Sequence, residues 1–118
     1  MWKYYNANKL GNNVSDCVVR AISLAEGESW SDTYKKISVL AEEKGTLLDD
    51  VDFVENYLDE RYPRQCHYSK LVGEFVNEFP KGVYLCTMQG HITCIIDGII
   101  YDTFDPSKRR MWCSWKIV

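Results

Sequence analysis

Apolar residues between Ser15 and Pro80 recur at intervals of three and four, the spacing of amphipathic helices. The pattern predicts four helices in this part of the chain. Their predicted starts are Ser15, Ser29, about Asp50 and Ser69, and their predicted ends are Gly27, Gly45, about Glu60 and Pro80. The three serines are predicted N-caps, because a serine hydroxyl accepts a hydrogen bond from the backbone N–H groups of a first turn.

The spacing of apolar residues changes after Pro80, where β-branched and aromatic residues predict strands. The predicted strands cover residues 82–87, 91–96, 99–104 and 111–118. The dipeptide Asp97-Gly98 separates the second strand from the third, and Asp-Gly between two β-branched runs is a strong signal for a two-residue hairpin turn. Helices followed by a contiguous sheet predict one α+β domain over residues 1–118, with N-terminal helices packed on a C-terminal antiparallel β-sheet.

The composition limits the classes of partner. The 118 residues are 46% hydrophobic and 26% charged, which is ordinary for a globular domain. The net charge of -3 argues against a nucleic-acid partner, and no apolar run approaches the ~20 residues that cross a membrane. The N-terminus lacks the apolar core of a signal peptide, so we expect a cytoplasmic protein. No Walker or Rossmann glycine pattern occurs, and no cofactor is expected.

The five cysteines are an odd number at irregular spacing, which does not resemble a disulfide framework. We therefore expect reduced thiols, most of them small buried hydrophobes. The spacing of Cys86, His91 and Cys94 does not match a structural zinc site, so no metal is expected. Cys17 differs from the others because it lies in the first turn of a predicted helix, where the helix dipole favours a thiolate. The alternative is a buried cysteine that packs beside Val18.

His91 is the candidate partner of Cys17, because it opens a predicted strand and the hairpin turn determines what lies across from it. A two-residue turn places Thr93 opposite Asp102 and His91 opposite Phe104. Asp102 is then the diagonal neighbour of His91, within side-chain reach. A carboxylate there can hold the imidazole in the tautomer that presents a free nitrogen to Cys17, with Phe104 shielding the hydrogen bond from water. The alternative is a surface histidine beside an acidic hairpin.

A family resemblance rests on three segments, residues 12–22, 90–98 and 101–105. They resemble small papain-like proteins of bacteriophages and prophages and, more distantly, the double-glycine leader peptidases. In the papain-like superfamily a cysteine starts the central helix, a histidine starts a sheet strand, and an asparagine or aspartate lies on the next strand. The resemblance implies a papain-like fold, a thiol protease or related hydrolase, and a phage-encoded protein in the cytoplasm of a bacterial host.

The resemblance also implies a role for each candidate residue. Cys17 corresponds to the nucleophile, His91 to the general base and Asp102 to the residue that orients the histidine, which together make a Cys-His-Asp triad. The leader peptidases place their acid directly before a proline, and that pattern selects Asp105 as the alternative triad acid. The hairpin register favours Asp102, because Asp105 falls on the opposite face of the strand if pairing extends that far.

The chain departs from the family at the oxyanion-stabilising position. Papain-like peptidases have a glutamine six residues before the nucleophile, and Gly11 stands there in this chain. Asn13 or Asn12 could replace it, with the Cys17 N–H as the second donor. We expect a cysteine hydrolase of peptide, isopeptide or glutamine amides that works as a monomer or weak homo-oligomer. The alternatives are a catalytically inactive papain-like phage protein that binds a host or phage partner, and a structural phage component.

Overall fold

The computed structural model of the chain describes residues 1–12 and 14–118. These residues form four helices and one mixed sheet of six strands, so the α+β prediction is confirmed. The helices are α1 (Cys17–Glu26), α2 (Trp30–Glu43), α3 (Val51–Asp59) and α4 (Val72–Glu78). The strands are β1 (Trp2–Tyr4), β2 (Arg64–Cys66), β3 (Val83–Met88), β4 (His91–Ile96), β5 (Ile99–Asp102) and β6 (Met111–Lys116). Within the described residues, no helix has the length and apolar character needed to span a membrane.

The ends of the first three helices follow from their capping residues. Helix α1 stops at Gly27, whose φ of 70° is a left-handed conformation that glycine adopts without strain. Ser29 caps α2 as predicted, since its Oγ accepts a hydrogen bond from the Asp32 N–H at 3.0 Å. Asp50 caps α3 in the same way through the Phe53 N–H at 3.1 Å.

Two predicted caps are wrong. The N-cap of α1 is Asp16 rather than Ser15. Helix α4 begins after Leu71 rather than at Ser69, because the Glu74 carboxylate accepts the Leu71 N–H at 2.8 Å and stabilises the first turn at that point.

The strand order in the sheet is β1-β5-β4-β3-β6-β2. Strands β4 and β5 form the predicted hairpin, with Ile96 opposite Ile99. The turn residues Asp97 and Gly98 have φ values of 47° and 77°, and a type I′ turn requires positive φ at both positions. The predicted register at the turn is confirmed, although β5 ends at Asp102 rather than at residue 104.

The two strands at the edges of the sheet, β1 and β2, lie outside the predicted elements. Strand β1 pairs in parallel with β5, and β2 pairs antiparallel with β6. The four C-terminal strands β3 to β6 pair antiparallel as predicted, but the complete sheet is mixed, because the N-terminal strand β1 joins it in parallel. Each strand has only three residues, all of them exposed, which is too short for a periodic pattern of apolar residues to mark it in the sequence.

The sheet separates two apolar layers. Helices α1, α2 and α3 cover one face, where the strand residues Leu85, Cys94 and Trp115 are fully buried. Helix α4 covers the opposite face, where Phe75 packs with strand residues such as Ile95. Because α1 packs against β4, the N-terminal end of the helix meets the start of that strand.

Cys66 and Cys113 form a disulfide bond between β2 and β6, where they are direct cross-strand partners. The expectation of reduced cysteines is therefore wrong for this pair. The pairing depends on a strand contact between residues 47 positions apart, which sequence spacing does not reveal. Cys17, Cys86 and Cys94 are free thiols, and the last two are buried.

Candidate active site

Cys17 is the first residue of α1 and is half-buried at the N-terminal end of the helix. The side chain of the N-cap residue Asp16 makes no hydrogen bond to the first turn, so it does not occupy the N–H groups there. The positive end of the helix dipole therefore acts on the Cys17 sulfur and favours the thiolate over the thiol.

His91 is the first residue of β4, and its imidazole contacts both of the residues that the sequence places with it. Its Nε2 lies 2.6 Å from Oδ2 of Asp102. With Nε2 donating to the carboxylate, Nδ1 is the nitrogen left for the Cys17 thiol, which lines the same cleft beside the ring. The ring of Phe104 lies over the imidazole, with centroids 4.7 Å apart, and shields it from water. The structure thus brings Cys17, His91 and Asp102 together.

Asp102 is 2% exposed and is held through both its side chain and its backbone. Its Oδ1 accepts hydrogen bonds from the Thr103 N–H at 2.7 Å and from Arg20 Nη1 at 3.2 Å. Its carbonyl oxygen accepts from the Tyr5 N–H at 3.0 Å and from the indole Nε1 of Trp2 at 3.2 Å. Strand β1 and the residue after it therefore support the candidate site from the edge of the sheet.

The pKa values of the three groups are displaced in complementary directions. Burial by itself would raise the pKa of the Cys17 thiol, but hydrogen bonds to His91 and the Ile92 N–H, and the charges of His91 and Arg20, lower it. Burial would lower the pKa of His91, but Asp102 and Cys17 raise it to about 9. Burial would raise the pKa of Asp102, and the hydrogen bond and charge of His91 lower it. These shifts favour a thiolate–imidazolium pair beside an ionised carboxylate.

Arg20 belongs to the same site, although it was not among the residues expected from the sequence. Its Nε donates to Oδ1 of Asp16 at 2.8 Å, and its Nη1 reaches Asp102 and, at 3.1 Å, Oγ1 of Thr103. The Trp30 indole donates to Oδ2 of Asp16 at 2.9 Å. The available signal was the four-residue spacing of Asp16 and Arg20, which in a sequence indicates only an ordinary helical ion pair.

Two further predicted site residues, Asp105 and Asn12, lie apart from this cluster. Asp105 accepts a hydrogen bond from the Ser107 N–H at 3.0 Å within a turn after β5. His91 contacts Asp102 instead of Asp105. Asn12 is exposed and does not line the cleft beside Cys17. Asn13 lies outside the described residues.

A cleft of about 190 Å³ opens beside Cys17 and His91. Its volume is below the ~300–1,000 Å³ of typical small-molecule sites, so it can hold only a small molecule or a narrow segment of a larger one. Its walls combine apolar side chains with a few hydroxyl and carboxylate groups, which come from Ser15, Asp49, Val51, Val54, Glu55, Thr87, Met88 and Trp112 among others. Among the described residues, no group of three metal-binding side chains is arranged to hold an ion.

Comparisons with known proteins give no further assignment. No protein-family model, no curated protein and no solved structure matches the chain. The geometry of Cys17, His91, Asp102 and Arg20 is therefore the basis for assigning a function.

Proposed function

We propose that the protein is a papain-like cysteine hydrolase in which Cys17 is the nucleophile, His91 the general acid and base, and Asp102 the residue that orients the histidine. The 2.6 Å contact between His91 Nε2 and Asp102, beside a half-buried thiol at the start of α1, carries the proposal. A cysteine on a helix N-terminus, a histidine at the start of a strand and an acid on the adjacent strand also support a papain-like arrangement of the α+β fold.

In the first half of the reaction the Cys17 thiolate attacks the carbonyl carbon of an amide. A C–S bond forms, and the π electrons of the carbonyl move onto its oxygen. The protonated His91 then gives its proton to the amide nitrogen as the C–N bond breaks. The products of this half are a thioester on Cys17 and a free amine, with His91 neutral.

In the second half a water molecule attacks the thioester carbonyl. His91 accepts a proton from the water, and the C–S bond breaks as the carboxylic acid leaves. Cys17 returns to the thiolate and His91 to the imidazolium, so the net reaction is hydrolysis of one amide. Asp102 remains ionised throughout, because Arg20 and Thr103 keep its second oxygen hydrogen-bonded when His91 is neutral.

The oxyanion formed in both halves needs hydrogen-bond donors. The backbone N–H of Cys17 is the first donor, because it belongs to the initial turn of α1. Asn13 is the proposed second donor in preference to Asn12, which does not line the cleft, and Ser15, which does line it, is a further candidate. Single substitutions of these three residues by alanine separate the choices, since loss of one oxyanion donor lowers kcat by about 10²–10³.

The proposed substrate is a peptide, an isopeptide or a glutamine side-chain amide. The small volume of the cleft favours a substrate that presents a narrow segment of chain to Cys17. We further propose a phage or prophage origin, a cytoplasmic site of action and a monomer or weak homo-oligomer, on the resemblance of the Cys17 and His91 segments. No nucleic-acid or membrane partner is proposed.

The pH dependence of iodoacetamide labelling at each thiol of the native protein tests the proposal. Cys17 should label at pH 6, and His91→Ala should slow this labelling because the imidazolium no longer stabilises the thiolate. Cys86 and Cys94 are internal references, since burial raises the pKa of both thiols and they should label only after unfolding. Labelling of Cys17 no faster than an ordinary thiol of pKa ~8.5 would count against a hydrolase.

One observation favours a second candidate, a catalytically inactive papain-like phage protein that binds a host or phage partner. No asparagine or glutamine occurs among the described residues that line the cleft. Under this second function, Cys17→Ala leaves partner capture unchanged and the wild-type protein hydrolyses no amide. Turnover that is abolished by Cys17→Ala excludes it.

A further inference from the structure

A second and larger cavity, of about 720 Å³, lies between the start of α1, one face of α2 and the chain after α2. We call it the aromatic groove, defined by Trp30, Tyr34, Leu47 and Leu48. The Trp30 and Tyr34 rings stack with centroids 5.2 Å apart. Tyr34 and Leu47 are exposed although they lie in a concave surface, and exposed aromatic side chains in a concavity are typical of binding sites.

The aromatic groove is adjacent to the cleft beside Cys17, because Ser15 and Asp49 line both cavities. An extended peptide advances ~3.3 Å per residue and points successive side chains in opposite directions. A chain whose carbonyl lies at the Cys17 sulfur can therefore place a neighbouring side chain in the aromatic groove. The groove is then a subsite of the proposed hydrolase rather than a separate surface.

Apart from the candidate Cys17–His91 thiolate–imidazolium pair, the charged side chains that line the two cavities are acidic, namely Asp16, Glu42, Asp49 and Glu55. Two of them are compensated, Asp16 by Arg20 and Glu55 by Arg64 at 3.4 Å. Within the parts of the chain that the structure describes, Asp49 and Glu42 take part in no ion pair. A concave surface with uncompensated negative charge concentrates cations.

We propose that the aromatic groove and Asp49 select a peptide substrate that carries a large apolar side chain and a basic side chain close to the attacked amide. The apolar side chain packs on Tyr34 and Leu47, and the lysine or arginine side chain pairs with Asp49 at the junction with the cleft. This inference rests on the proposed hydrolase for its reaction. The predicted binding of the peptide can be tested whether or not the protein hydrolyses the amide.

The test measures hydrolysis and binding on the same peptides. The probes are fluorescein-labelled hexapeptides that hold phenylalanine and lysine in either order between glycines, with glutamate-for-lysine and alanine-for-phenylalanine versions as comparisons. We measure kcat/KM with the wild-type protein, and we measure Kd by fluorescence anisotropy with the Cys17→Ala variant. Both measurements are repeated with Asp49→Asn and Tyr34→Ala. Asp52→Asn is the matched control, because Asp52 is an exposed acid of α3 that lines neither cavity.

We expect the lysine peptides to bind about five-fold tighter than the glutamate peptides, and Asp49→Asn to remove this preference while Asp52→Asn keeps it. Tyr34→Ala should weaken binding of the phenylalanine peptides by about ten-fold and leave binding of the alanine peptides unchanged. If kcat/KM for these peptides is the same in Asp49→Asn and Tyr34→Ala as in the wild type, the inference is wrong but the proposed hydrolase is not affected. Binding with these preferences but no cleavage supports the subsite and overturns the hydrolase.

Discussion

Replacing Arg20 by methionine tests the hydrogen-bond network behind the candidate triad. The substitution keeps most of the apolar stem but removes the cation that contacts Asp16 and Asp102. The side chains of Arg20, Asp16 and Asp102 are 12%, 8% and 2% exposed, so water cannot replace the guanidinium. Removal of one partner of a buried ion pair costs about 3–5 kcal/mol, because the remaining charge stays buried without compensation.

We expect the lower end of that range, about 3 kcal/mol, because each carboxylate keeps another donor. Asp16 retains the Trp30 indole, and Asp102 retains His91 and the Thr103 N–H. In a domain of this size a loss of 3 kcal/mol lowers Tm by about 12 °C. The variant should still fold, since domains are stable by about 5–15 kcal/mol.

The same substitution should also change the reactivity of Cys17. The charge of Arg20 helps to lower the pKa of the Cys17 thiol, so its removal raises that pKa. The iodoacetamide labelling profile of Cys17 should therefore move to higher pH. Urea unfolding, thermal unfolding and labelling are measured on the same preparation.

Arg61→Met is the control for the loss of an arginine, because Arg61 is an exposed residue that lies over the Tyr57 ring at 3.8 Å. A double variant, Asp16→Asn with Arg20→Met, should recover part of the stability, since it removes one of the two uncompensated carboxylates. If Arg20→Met loses no more stability than the control, or if its labelling profile coincides with that of the wild type, Arg20 does not stabilise the site in this way.

The remaining predictions concern pH, the disulfide and the hairpin. Hydrolysis should follow a bell-shaped pH profile that rises with ionisation of Cys17 and falls near pH 9, where His91 loses its proton; a rate that keeps rising past pH 10 contradicts the assigned roles. The pKa of His91 is about 9 when folded and ~6.5 when unfolded, so its contribution to the free energy of unfolding is complete below pH ~6.5 and is lost towards pH 9. Urea titrations should show this loss in the wild type but not in His91→Ala. Reduction of Cys66–Cys113 should cost up to about 4 kcal/mol for a loop of 47 residues, measured as the change in urea midpoint with dithiothreitol, and an unchanged midpoint would argue against the bond. Gly98→Ala should cost about 1 kcal/mol because φ is 77° there, and a stabilised variant would contradict the type I′ turn.

The sequence predicts the β4–β5 hairpin well because its determinants are local. Asp97-Gly98 permits only a short list of turns, and a two-residue turn defines every cross-strand partner that follows. The proximity of His91 and Asp102 is a direct consequence of that register, and the structure has them 2.6 Å apart. The determinants of helix α1 are equally local, since its spaced apolar residues and the Gly27 C-cap lie within one short segment.

The features that escaped the sequence depend on partners far away along the chain. Strands β1 and β2 are three residues long and exposed, and only pairing with β5 and β6 makes them strands. The Cys66–Cys113 bond follows from the same distant pairing. Arg20 belongs to the site because it is buried against Asp102, which lies far away in the C-terminal half of the sequence. The spacing of Asp16 and Arg20 alone cannot reveal this contact.

The parallel pairing of β1 with β5 has a consequence for synthesis on the ribosome. Trp2 and Asp102 are 100 residues apart in sequence, yet the Trp2 indole binds the Asp102 carbonyl. Contacts between such distant residues form slowly, because the intervening chain must be closed into a loop before they contribute any stability. The helix that carries Cys17 leaves the ribosome long before its imidazole and carboxylate partners. A nascent chain therefore carries the Cys17 thiol without these partners, and the proposed activation of Cys17 begins only after residues 91–102 have joined the fold.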